Sequence, residues 1–494
     1  MLYVRMFFML AVGLFTSRIV LEALGEDDFG VYNVVGGVVA MFTVISGALN
    51  AAISRFITFE LGKGGERLSK VYSSAVTVQL ILSLVIVLVA EPAGLWFIDN
   101  MMTIDPARIP AARLVLHFSL FSFVVNLMSV PQMALITAHE KMSAYAWIGI
   151  LDGVLRLGVA VAVLCSSADR LVLYAALMAL SVLAVRGAYG LYCRRCFPEC
   201  RYRPLYDAPL LKEMSSFAGW NFIGAASGVL RDQGGNILLN VFFNPAVNAA
   251  RGVALQLNNA VQGFVTNFMI AVNPQLTKSY ASGEHKYMFS LMKRASRMSF
   301  YLLLVLSLPI LFNTESVLAI WLKDVPEHTF AFVRLFLVFT LSESISYPLI
   351  TVMLATGDIK KYQIVVGGLQ ILNLPLSYLL LKAGYPPEST VAVAIALSQI
   401  CLFARLVMLK GMIGLSVKDF MIKVYFNLLL VAALSCVPPA LLNGVMPSGI
   451  AGLGLGVAVC VLSAAVSAFY AGCSSKERKE LLEMIKLRVR HDKD

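Results

Sequence analysis

Charge is what this sequence has least of. Only 14% of its 494 residues are Asp, Glu, Lys or Arg, against about 25% in an ordinary soluble domain. A soluble globular fold is thereby ruled out as the default. Histidine is scarce as well: His117, His139, His285, His328 and His491 are scattered, mostly in loops or at span ends. They make no catalytic constellation. Neither an HExxH pattern nor a GxxxxGK[ST] phosphate loop occurs, so neither a zinc protease nor a self-powered ATPase is indicated. A glycosyltransferase stays open in principle, but it usually needs acidic residues on sizeable loops, and the outer loops here are short. The eight cysteines form no secreted disulfide framework. Three of them, Cys193, Cys196 and Cys200, cluster in CRRCFPEC with no histidine nearby to complete a metal set. A reduced, solvated loop is expected there. No cleavable signal is expected, because the apolar run at Met1 is too long and has no small-residue cleavage site. Catalytic residues, a metal and a cofactor are all expected to be absent, and the chain reads as a transporter rather than an enzyme.

What is present is apolar. Hydrophobic residues make up 59% of the chain and the mean hydropathy is +0.78. Runs of about 20 apolar residues, long enough to cross a bilayer as helices, recur down the whole length. About fourteen spans are expected, from Leu2–Leu21 and Gly30–Ile53 to Phe330–Ala355, Tyr362–Leu381 and Gly449–Ala471. An acidic turn (Glu26, Asp27, Asp28) separates the first two. The net charge of +11 sits in alternate short loops and in the tail, which fits the positive-inside bias better than nucleic acid. That alternation places both termini in the cytoplasm.

The two halves resemble each other. PQMALITAHEKMSAY (Pro131–Tyr145) matches PLITVMLATGDIKKY (Pro348–Tyr362) without a gap. FELGKGGE (Phe59–Glu66) echoes SYASGE (Ser279–Glu284), and Arg18 has a counterpart in Arg231. All three pairings are offset by roughly the same distance, the mark of an internal repeat. The expected organisation is an all-α integral membrane protein with a central cavity. A six-helix lobe spans 1–195, a cytoplasmic linker 196–213 and a second six-helix lobe 214–410. Two additional spans (411–473) and a basic tail (474–494) follow. Parallel repeats of this kind occur in transporters.

Polar residues inside the spans carry the functional reading, because such residues face water-filled cavities or one another. They are Arg18, Asp152, Arg156, Arg231, Asp232, Arg251, Arg334 and Glu343, with Arg55 at a cytoplasmic helix end. Asp152 and Arg156, one turn apart, suit a structural ion pair, as do Arg18 and Glu22. Arg231 and Asp232 are adjacent and point about 100° apart, so their mutual neutralisation is less natural. Arg251, Asn258 and Gln262 share one helical face. Either they glue helices together or they face a cavity, and amides beside cations suit a hydroxyl-rich anion. Arginines outnumber acids, and their forks suit phosphate. The expected substrate-binding residues are therefore Arg18, Arg55, Arg231, Arg251, Asn258 and Gln262. Asp152, Asp232 and Glu343 are the candidates for ion coupling.

The run TSRIVLEALGEDDFGVYNVVGGVVAMF, with SRFITFELGKG after it, resembles the opening of bacterial polysaccharide exporters. These are the O-antigen and lipid-linked oligosaccharide flippases of the multidrug/oligosaccharidyl-lipid/polysaccharide exporter (MOP) superfamily. The resemblance implies two lobes around a central cavity and alternating access. It also implies, as cargo, an undecaprenyl-pyrophosphate-linked oligosaccharide turned from the inner to the outer leaflet of the bacterial inner membrane. Arg18 and Arg231 then hold the pyrophosphate, Arg251, Asn258 and Gln262 add head-group and sugar contacts, and Arg55 draws the anion to the cytoplasmic mouth. Partners on this reading are membrane lipids and the polysaccharide polymerase and ligase machinery, not nucleic acid. A lipid II flippase and a cation-coupled multidrug antiporter of the same superfamily are the alternatives.

Overall fold

The computed structural model describes residues 2–40, 42–102, 104–203, 207–243, 245–322, 325–442, 450–475, 477–479 and 483. Most of the expected basic tail, 474–494, lies outside these residues. Among the described residues the chain is nearly all helix, with no strand. It divides into two compact units, Met1–Ala226 with Asn273–Glu284, and Ser227–Val272 with His285–Asp494.

The first unit contains α1 (Leu2–Ala40), α2 (Thr43–Gly62), α3 (Leu68–Asn100), α4 (Ile109–Ala138), α5 (Met142–Leu164), α6 (Arg170–Cys196) and the start of α7 (Ala208–Phe242). The rest of α7 and most of α8 (Pro245–Ala281) belong to the second unit. It continues through α9 (His285–Phe312), α10 (Thr314–Trp321), α11 (Thr329–Ser344), α12 (Tyr347–Thr356), α13 (Lys360–Ile371) and α14 (Asn373–Lys382). Last come α15 (Ser389–Ile413), α16 (Val417–Phe420), α17 (Phe426–Leu442) and α18 (Ile450–Ser467).

The cause of this architecture is local. A helix is the only single segment that satisfies all its own backbone groups in lipid. Ends are set by polar caps: the Asp169 carboxylate accepts from Leu171 N and Val172 N to open α6. Gly357 and Gly414 close α12 and α15 in the left-handed conformation (φ 84° and 73°), which glycine adopts without a Cβ penalty. The core of the first unit gathers Val20, Val35, Ile86, Leu116, Val163 and Leu171 from α1, α3, α4, α5 and α6. Large apolar side chains also stay on the outside, Leu88 and Trp96 being 65% and 59% exposed. Such a surface suits hydrocarbon, not water.

Among the described residues ten helices are long and apolar enough to cross a membrane, or eleven if α11 and α12 count as one broken span. The chain is a multi-pass membrane protein, but the number fourteen is not reached by this measure among the described residues. Helices α7 and α8 run to 35 and 37 residues, and the arginines and amides along them make them less apolar.

Four local expectations are corrected. Two helices do meet at the acidic stretch, but the break is a single residue, Gly25 (φ 75°, ψ 175°), and Asp27 and Asp28 stand in the helix after it rather than in a turn. Arg108 ties this region down, reaching Asp28 at 2.6 Å and Asp169 at 2.8 Å. The stretch expected as one span, Gly30–Ile53, is shared between the end of α1 and the start of α2. Phe330–Ala355 is broken at Ile345–Ser346, with a 41° bend between α11 and α12. The CRRCFPEC segment is not a solvated loop throughout: Cys193 and Cys200 are buried and only Cys196 is exposed. Their thiols donate to the Gln132 carbonyl (3.5 Å) and the Tyr72 hydroxyl (3.2 Å).

Candidate functional site

The break after α11 organises the polar residues of the second unit. Pro348 has no N–H to give to the preceding turn, and it stands in the first turn of α12, where that loss costs nothing. Three other helices hold the break. Ser296 of α9 donates to the Ile345 carbonyl at 3.1 Å. Arg405 of α15, only 1% exposed, donates to the Ser346 hydroxyl at 3.0 Å. Gln262 of α8 donates to the Tyr347 hydroxyl at 2.6 Å. The matching proline of the first unit, Pro131, lies inside an unbroken α4, so the same residue type has different outcomes in the two units.

Arg251, Asn258 and Gln262 do share a face of α8, and they meet α7, α11 and α12. Asn258 is buried and accepts from Thr340 Oγ1 at 2.6 Å. Arg251, 5% exposed, donates from Nη1 to the Asp232 carbonyl at 3.1 Å and to the Asn236 side-chain oxygen. Its guanidinium lies 5.6 Å from the centre of the Phe336 ring. Space for it is left by Gly235, where a Cβ would come within 3.0 Å of Nη2. These contacts are interhelical hydrogen bonds of the gluing kind.

Arg231 departs from expectation. It pairs with its neighbour Asp232, Nε to Oδ1 at 2.9 Å and Nη2 to Oδ2 at 3.4 Å. The long arginine side chain spans the 100° between adjacent positions, which the helical-wheel argument leaves out. The Arg231 side chain is 18% exposed and that of Asp232 54% exposed, and the guanidinium sits 5.1 Å from the Phe339 ring centre. Glu343, one residue before the end of α11, is half-buried and within electrostatic reach of Arg231, Arg405 and Tyr347. The second unit thus gathers Arg231, Arg251 and Arg405 around Asp232 and Glu343 beside a broken helix. Irregular backbone at membrane depth is tolerated where it is buried in protein or lines a cavity, and transporters build their sites from such discontinuous helices.

In the first unit Arg18 is exposed on α1 and forms no ion pair with Glu22 among the described residues. Arg55 is buried, with Phe56, Phe59 and Phe217 rings 4.6, 4.5 and 5.5 Å away and Glu213 at 3.9 Å. Asp152 takes both carboxylate oxygens to Arg156 Nε at 3.0 Å, the expected one-turn pair. Arg334 bonds Thr314 at 3.1 Å and lies 3.8 Å from Glu315. At the basic end, Lys278 meets Glu140 at 2.8 Å and Gln275 donates to the same carboxylate at 3.3 Å. Burial pushes Glu140 up, but Lys278 and Gln275 together hold it below its ordinary value.

Sequence reasoning overlooked Arg405, although an arginine in the apolar run CLFARLVML was the signal for it. It also overlooked Ser346 and Tyr347, which become informative only once the helix is seen to break.

Comparison with proteins of known family and structure follows the same line. The family described as polysaccharide biosynthesis protein matches residues 8–280, more than half of the chain. No curated protein sequence matches. Among solved structures, MATE in complex with MaD3S is similar with a TM-score of 0.72 at 12% identity, over 84% of this chain and 96% of that one. A MOP superfamily transporter from Pyrococcus furiosus, whose binding pocket is described as of reverse polarity, aligns with a TM-score of 0.70 at 12% identity, over 82% and 93%. An outward-facing multidrug resistance MATE family transporter of the MOP superfamily gives 0.70 at 11% identity, over 84% and 96%. At these identities the likeness speaks for the fold. The chain belongs to the polysaccharide biosynthesis protein family and has the fold of the MOP superfamily transporters.

Proposed function

We propose that this protein is a flippase of the bacterial inner membrane. Its cargo is an undecaprenyl-pyrophosphate-linked oligosaccharide, an O-antigen or other surface-polysaccharide repeat unit, carried from inner to outer leaflet by alternating access with both termini cytoplasmic. The observation that carries this reading is the sign of the polar cluster in the second unit. Arg231, Arg251 and Arg405 outnumber Asp232 and Glu343, the opposite of what an organic cation calls for and what a phosphate calls for. Arg18, exposed on α1, and Arg231, at a related position in the second unit, are the residues assigned to the pyrophosphate. Asn258 and Gln262, spent on Thr340 and Tyr347, shape the site from behind. Arg55, packed among rings, reaches an anion only by leaving them. Family membership in polysaccharide biosynthesis supports the sugar-bearing cargo.

Complementation of a strain lacking an O-antigen flippase, with surface polysaccharide and cationic-drug tolerance read in parallel, tests the proposal. Restored polysaccharide that is lost with Arg18→Ala and Arg231→Ala, at unchanged membrane insertion, is the expected result. Normal export by both variants would falsify the arginine role. Drug tolerance without polysaccharide favours the antiporter reading, for which the MATE-like fold speaks, with Asp152, Asp232 and Glu343 as coupling residues. A lipid II flippase is separated by supplying that precursor instead.

A further inference from the structure

The first unit holds a second basic site that the proposed transport path does not use. A cavity of about 570 Å³ opens between α3, α4, α6 and the segment after α6. Its polar wall consists of Arg186, Arg194, Arg201, Tyr72, Tyr202 and Gln132, and no carboxylate lines it. Arg186 lies ten residues before the end of α6 at Cys196, about 15 Å along the helix axis. It is half-buried, and its one hydrogen bond is a long one of 3.5 Å to the Val125 carbonyl. None of the three arginines forms an ion pair among the described residues. Glu199, next to Cys200 in the chain, is bonded to His139 at 2.9 Å.

The wall is fixed in place. Residues 200–203 lie along α3 through Cys200 to the Tyr72 hydroxyl (3.2 Å), Arg203 N to Ser73 Oγ (3.2 Å) and Tyr202 to Thr77 (3.3 Å). Three guanidinium groups and two phenols line one cavity with no carboxylate among them, and Arg186, within the helix, is the kind of intramembrane cation that pairs with an anion or faces a water-filled cavity.

We propose that this cavity binds the phosphate of a net-anionic lipid headgroup. Arginine forks pair bidentately with phosphate oxygens, basic pockets between membrane helices suit phospholipid headgroups, and the volume exceeds a bare phosphate, leaving room for the headgroup's glycerol. The site shares no residue with Arg18 or Arg231, so its failure and that of the flippase reading are separable.

The test uses the purified full chain with bound lipid counted by native mass spectrometry and thermal unfolding followed in parallel. The probes are phosphatidylglycerol, phosphatidylcholine and, in separate samples, inorganic pyrophosphate. Phosphatidylglycerol is expected to bind and to raise the unfolding temperature. Arg186→Gln and Arg201→Gln should each weaken it roughly tenfold or more, as loss of a charged hydrogen bond requires. Arg195→Gln, outside the cavity wall, should leave it unchanged. Should Arg186→Gln fail to fold, the exposed positions Arg194→Gln and Arg201→Gln decide the matter. Equal binding by wild type and both cavity variants, or equal binding of phosphatidylcholine, overturns the proposal. Pyrophosphate binding that is lost in the same variants, without any lipid effect, overturns the lipid source and leaves a soluble phosphate as the ligand.

Discussion

Arg231 and Arg251 look alike in the sequence and should behave oppositely when replaced. Arg251 is 5% exposed and gives two hydrogen bonds, to the Asp232 carbonyl and the Asn236 amide oxygen. Bonds from a charged donor are worth about 1.5–3 kcal/mol each, and the contact with Phe336 adds about 0.5–2. Arg251→Gln keeps some polarity but cannot reach both acceptors, so a loss of roughly 3 kcal/mol is expected, several degrees in the unfolding midpoint. Arg231, by contrast, is paired with a carboxylate that is 54% exposed, a pair worth about 0–1 kcal/mol, and its contact with Phe339 adds about 0.5–1. Arg231→Gln should therefore unfold within about 2 °C of wild type yet fail to restore surface polysaccharide. Heat-step size-exclusion profiles of the two variants in one detergent, with export measured in cells, make the comparison. Wild-type stability for Arg251→Gln would refute the reasoning, and so would an equal loss of stability in the two.

Two further outcomes are expected. A Cβ at Gly62 would lie 2.8 Å from the Lys278 Cα and 2.9 Å from its carbonyl oxygen. Gly62→Ala should lower the unfolding midpoint by an amount equivalent to about 1–3 kcal/mol of overpacking, and an unchanged midpoint contradicts this close approach. Glu140 is held below its ordinary value by Lys278 and Gln275. The stability it adds is present above the usual glutamate pKa of about 4.3 and is lost as pH falls through the lower folded value. Since the group is 37% exposed, the increment is below about 1 kcal/mol. An acid-melt series should show wild type losing it while Glu140→Gln has nothing to lose, and parallel curves for the two speak against the pairing.

Much of the fold was legible because lipid imposes it. Low charge, apolar runs and basic alternate loops follow from the bilayer as solvent, and those are properties of composition. The one-turn pair of Asp152 and Arg156 was legible for a similar reason, since helical spacing alone brings it about. What spacing does not encode is the reach of a long side chain, so the adjacent Arg231 and Asp232 pair against the wheel. The face shared by Arg251, Asn258 and Gln262 was visible, but not what lies opposite it. Thr340 and Tyr347 come from some eighty residues away and decide that the amides are spent on neighbouring helices. The break at Ile345–Ser346 was hidden because Pro348 has a counterpart, Pro131, in a helix that does not break. The difference lies in which neighbours hold the break, here Ser296 on the Ile345 carbonyl and Arg405 on the Ser346 hydroxyl, and that is a tertiary fact.

A helix interrupted within a span has two ends where a continuous one has none. The peptide dipoles of α11 leave partial negative charge near Ser344, and those of α12 leave partial positive charge near Tyr347. These charges belong to the backbone, and no side-chain replacement removes them. A variant stripped of Glu343 therefore keeps a local field at the break, and in the low dielectric of a membrane protein that field acts on a passing ion or phosphate more strongly than it would in water. Residual ion sensitivity in such a variant would then be a property of the fold itself, and only mending the break would silence it.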